Sequence, residues 1–146
     1  MEKNNNALFF TCSLIEYIAR KTQNSRKDIV SHLGKDLKQI YSYADVFHCE
    51  PIEKVADDFI TRNEIPQGSY DVISNCKYAV PDYWDIGEVF ERLIEDSYEE
   101  KDVLLGIKEV YESWITEKIL NFNSDLYYQS RDYLAECYKE GILLTT

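Results

Sequence analysis

The chain has 146 residues, 45% of them hydrophobic, which is enough to fill a core and too many for a disordered polypeptide. Its net charge of −11 is unevenly placed: residues 1–64 hold nine Lys/Arg against ten Asp/Glu, whereas residues 65–146 hold seven against seventeen. Such a field repels phosphate backbones and draws basic surfaces, so nucleic acid is disfavoured and a protein partner with a basic surface is expected.

Turn formers are few (five Gly, three Pro) and apolar residues recur at three and four, which gives an all-α class, a helical bundle of about seven helices. The first helix is expected over residues 6–21, where Ala7, Phe10, Leu14, Ile15 and Ile18 make a stripe that Leu8, Phe9 and Cys12 widen. That apolar face can pack within one chain or across a two-fold axis, so a homodimer stays open. Ser25, with Asp28 three residues on, opens a second helix that stops at Gly34. A third segment runs from Lys35 to Phe47, and a fourth opens at Pro51, with Ile52, Val55, Ala56, Phe59 and Ile60 facing inward. These four segments form an expected N-terminal bundle over residues 1–64.

The cluster of Pro, Gly, Ser and Asn in residues 61–71 is the best boundary, and residues 65–146 form the acidic, tyrosine-rich helical lobe, packed on the first as one unit. Past a short segment at residues 70–76, the stretch 78–94 carries a helix start. Asp85 is placed to cap it toward Glu88, with Trp84 and Val89 as a hydrophobic staple. Two long helices follow, one over residues 101–122 and one opened by Ser124 and closed by Gly141. No apolar run approaches the roughly 20 residues of a membrane span, and the N-terminus lacks a signal-peptide cleavage pattern, so a cytoplasmic location is expected.

A cap and staple leave Tyr78, Pro81, Asp82 and Tyr83 over, an aromatic and acidic approach that joins Trp84 as the expected protein-binding residues. Nine of the twelve tyrosines lie after residue 64, and adjacent Tyr127 and Tyr128 cannot share one helical face. A non-catalytic protein-binding role is therefore the leading expectation. The first alternative is a helix-turn-helix DNA-binding regulator, with Arg26, Lys27, Lys35 and Lys38 around the Gly34 turn. The second is an enzyme in which His32 or His48 meets Cys12, Cys137 or a carboxylate.

No catalytic set, phosphate loop, cofactor or metal site is legible. Adjacent His48, Cys49 and Glu50 diverge, the four cysteines read as buried thiols, and Glu88, Glu91 and Glu95 read as one solvated face.

Residues 9–60 resemble a small uncharacterised family of helical bacterial proteins found mainly in Firmicutes. The matching positions are Phe10, Cys12, Ile15, Glu16, Tyr17, Ser25, Tyr41, His48, Asp58 and Ile60. Genes of that family often neighbour ADP-ribosyltransferase-like toxins, so the resemblance implies a toxin's companion or neutralising partner. It supplies no catalytic residues, and the acidic second half departs from its pattern.

Overall fold

The computed structural model describes residues 5–74 and 76–144; Met1 to Asn4, Asn75, Thr145 and Thr146 lie outside it, the first four within the N-terminus judged for a signal and Asn75 within the short segment expected at 70–76. The described residues are helical with no strand: α1 Asn6–Thr22, α2 Arg26–Leu33, α3 Asp36–Ser42, α4 Ala44–Phe47, α5 Ile52–Arg62, α6 Tyr83–Ser97, α7 Val103–Glu112, α8 Trp114–Ile119 and α9 Arg131–Glu140. The helical-bundle class holds. Among the described residues nine α-helices stand where spacing marks about seven, because two segments each break in two.

Helix α1 is the axis of the molecule. Its apolar residues occupy more than one face, so burial of one stripe is not enough, and α2 to α5 together with α6 cover it. The wide face left open for a two-fold partner is thus filled within the chain. Two of the buried polar residues on α1 find acceptors one turn back. Thr11 Oγ1 donates to the carbonyl of Ala7 at 2.8 Å and Thr22 Oγ1 to that of Ile18 at 2.7 Å. Gly87 on α6 lets the two helices touch at Ser13, where a Cβ would stand 2.8 Å from Cα and 2.9 Å from the backbone nitrogen. One hydrophobic core runs from Leu8 through Phe90 and Ile107 to Cys137.

Each break falls at one residue. Lys35 to Phe47 divides at Tyr43, whose backbone leaves the helical region (φ −115°, ψ 26°). Residues 101–122 divide at Ser113 (ψ 167°), where the hydroxyls of Ser113 and Thr116 both donate to the Val110 carbonyl, at 2.6 and 2.7 Å, and displace the helical donor. The last helix opens at Ser130 rather than Ser124: Ser130 Oγ accepts from the Tyr133 N–H at 3.2 Å, and a 3-10 turn at Leu126–Tyr128 fills the gap. Its end at Gly141 (φ 78°) is as expected.

Residues 63–70 are pinned across the end of α1. Gly68 N–H donates to Thr22 O at 2.7 Å, Tyr70 N–H to Gln23 O at 2.8 Å, and Asn24 Nδ2 to Pro66 O at 2.7 Å. Beneath them lies a buried ion pair: Glu16 Oε1 accepts from Arg26 Nε at 2.9 Å and Nη2 at 2.7 Å, with Arg26 1% exposed and Glu16 wholly buried. No helix among the described residues is long and apolar enough to cross a membrane.

Candidate functional site

The approach to α6 is built from backbone ties. Lys77 N–H donates to Asn123 Oδ1 at 2.8 Å, joining the approach to the loop before α9, and Arg20 Nη2 donates to the Pro81 carbonyl at 2.6 Å. Asp82, not Asp85, is the cap: its Oδ1 accepts from Asp85 N–H at 2.8 Å, and the helix opens at Tyr83. The helix therefore starts three residues earlier than the Asp85–Glu88 spacing suggests, and Trp84 sits inside its first turn instead of stapling it. Either aspartate satisfies the sequence rule; the Pro81 tether selects the first.

Two of the five expected contact residues are half-buried, with their rings packed on neighbours. Tyr83 meets Tyr17 edge-on, centroids 5.0 Å apart, and Trp84 packs on Phe9 at 5.6 Å and stacks on His48 at 5.7 Å. Among the nine later tyrosines, Tyr111 is buried, and Tyr98, Tyr133 and Tyr138 serve packing. Tyr98 bonds the Tyr138 hydroxyl and donates to Glu109 at 2.9 Å, and Tyr133 donates to Leu144 O at 2.6 Å. Only Tyr78 and Tyr128 are exposed, at 66% and 62%.

Each lies close in sequence to the tie of Lys77 to Asn123 that joins the approach to α6 to the chain before α9. Tyr127 packs edge-on against Tyr128 at 4.9 Å and against Phe122 at 5.3 Å. Its hydroxyl is pushed up to about 12, first by burial and then by the negative field of Asp85, Asp82 and Glu88. The first turns of α6 and the 3-10 turn, about forty residues apart in sequence, thus bring the tyrosine pair into the field of three carboxylates. Arg92 pairs with Glu88, whereas no lysine or arginine pairs with Asp82 or Asp85 among the described residues. The signal available in sequence was the Tyr127–Tyr128 pair itself.

The remaining candidates divide. Arg26 is withdrawn from any duplex-reading surface, because its guanidinium is buried on Glu16; Lys27, Lys35 and Lys38 remain exposed around Gly34 (φ 51°). His32 is exposed. His48, Cys49 and Asp45 line a concavity of 650 Å³ with Phe9 and Tyr41. There the Cys49 thiol donates to the Asp45 carbonyl at 3.3 Å and the His48 ring stacks on carbon, so no cysteine–histidine hydrogen bond forms among the described residues.

All four cysteines are free. Cys12 and Cys137 are buried, as expected of thiols in a core, but Cys49 is exposed and Cys76 half-buried, correcting the reading of four buried thiols. Burial pushes the Cys12 thiol well up, so it carries no nucleophilic thiolate. No group of three or more His, Cys, Asp or Glu is placed to hold a metal among the described residues. Glu91, expected in solvent with Glu88 and Glu95, is buried at 6%.

Compared with family models, curated proteins and solved structures, the chain matches none.

Proposed function

We propose that the protein binds a basic protein partner, without chemical turnover, through the surface of Tyr78, Asp82, Asp85, Tyr127 and Tyr128. The supporting observation is that the tie from Lys77 to Asn123 draws the approach to α6 toward the exposed Tyr128, which packs on Tyr127, whose hydroxyl feels the negative field of Asp82, Asp85 and Glu88. Exposed phenol rings offer contact area at low entropic cost and a face for a lysine or arginine, while the exposed carboxylates of Asp82 and Asp85 supply complementary charge. Pro81, Tyr83 and Trp84 act behind this surface by fixing it.

A basic toxin encoded alongside, as the resemblance over residues 9–60 implies, is the partner class that this reading favours. Affinity capture from the source cell tests it. The expected result is a basic protein retained by the wild type and lost from Tyr78→Ala/Tyr128→Ala, a variant that removes only exposed rings. Equal retention by both proteins counts against the reading.

A further inference from the structure

The carboxyl of Glu91 stands where α6 meets two other helices. Its Oε1 accepts from the backbone N–H of Asn5, the cap of α1, at a long 3.4 Å, and Asn5 in turn donates from Nδ2 to the Tyr41 hydroxyl at 3.0 Å. One turn on, Glu95 lies beside it. From α9, Arg131 grips Asp96 with two bonds of 2.8 Å and reaches Glu95 at only 3.4 Å. Three carboxylates therefore share one guanidinium, which is committed to the outermost of them.

Among the described residues, the other neighbours bring Glu91 no further cation. Cys12 of α1 faces it, and of the titratable side chains of α7, Tyr111 stacks on Phe90 at 4.7 Å, Glu109 accepts from Tyr98 at 2.9 Å, and Lys108 and Glu112 are exposed. A carboxylate 6% exposed next to a second carboxylate is costly to ionise, and a proton between the two removes the cost.

Helix α9 is the element most easily moved by that cost. It fully buries only Leu134 and Cys137, and Arg131 together with the Tyr98–Tyr138 hydroxyl contact supplies most of its polar hold on α6 and the segment after it. Elements with few buried side chains open at the lowest free energy.

We propose that Glu91, Glu95 and Arg131 form a proton-operated latch, which holds α9 on α6 while Glu91 carries its proton and loosens α9 when Glu91 is ionised. Burial, then Glu95, lifts Glu91 to about 7, so the latch works near neutrality. The sign follows from linkage. A carboxyl raised in the docked state stabilises docking below its ordinary range and loses that contribution as pH rises through the docked value.

Hydrogen exchange measured across pH on the full chain tests the latch. Protection of residues 131–140, corrected for intrinsic exchange, is expected to fall by about tenfold from about pH 6 to about pH 8, if Glu91 regains an ordinary carboxyl once α9 leaves. Glu91→Gln is expected to make it flat, with α1 unchanged throughout. A flat wild-type profile, an equal slope in Glu91→Gln, or an equal fall in every helix would overturn the proposal. If circular dichroism shows that Glu91→Gln does not fold, Glu95→Gln carries the test, since removing the neighbouring charge must shrink the slope and an unchanged slope refutes the latch.

Discussion

Replacing Arg26 by Met tests the interior most sharply. The guanidinium satisfies Glu16 Oε1 twice, while Glu16 Oε2 already lacks a hydrogen-bond partner, and neither residue reaches solvent. Arg26→Met keeps most of the packing volume but leaves a buried carboxylate alone. Breaking a buried pair from one side costs about 3–5 kcal/mol, because the surviving charge keeps its desolvation penalty without its partner. Against a total stability of about 5–15 kcal/mol, that is a large fraction of what holds the chain folded.

Urea unfolding followed by far-UV circular dichroism is the assay. With a urea slope of about 2 kcal/mol per molar, a 4 kcal/mol loss moves the midpoint down by about 2 M. The pair Glu16→Leu/Arg26→Met, which removes both charges, is expected to recover much of the loss, so the double-mutant cycle shows strong coupling. A loss under about 1 kcal/mol for Arg26→Met, or additive losses in the double variant, would refute the account of a desolvated pair.

Gly87→Ala is expected to destabilise by about 1–3 kcal/mol despite alanine's better helix propensity, since its Cβ would press on the Ser13 backbone; a gain in thermal midpoint would show that α1 and α6 are not in that contact. Asp82→Ala is expected to cost about 1 kcal/mol and Asp82→Asn much less, because the amide oxygen still caps Asp85 N–H, and equal losses would shift the cap elsewhere. A thiol reagent added to native protein is expected to modify Cys49 quickly, with Cys12 and Cys137 untouched until unfolding; rapid loss of all thiols in mass spectra would contradict the burial pattern.

Most of the fold was legible because its causes are local. The Ser25 cap, the Gly34 and Gly141 stops and the apolar stripe of α1 each follow from residues within a few positions of one another. The breaks at Tyr43 and Ser113 were not legible, since the apolar spacing continues across both and only the competing hydroxyls of Ser113 and Thr116 mark the second. The same limit governs the site. Asp82 and Tyr78 were singled out from their own neighbourhood, but Tyr127 and Tyr128 joined them only through the chain's return, tied by Lys77 to Asn123. Arg26 and Glu91 were read as solvent-facing because a charged helical residue normally is; Arg26 is buried on Glu16 of the preceding helix, and Glu91 against Asn5, 86 residues away.

The claim of a basic protein partner is tested most directly by calorimetric titration of the captured, purified partner into wild-type protein and into Asp85→Asn/Tyr128→Ala, at about 50 mM and about 300 mM salt. The expected result is wild-type binding that weakens as salt rises, and a variant at least about tenfold weaker with a smaller salt dependence. Binding indifferent to salt and equal in the two proteins would contradict it.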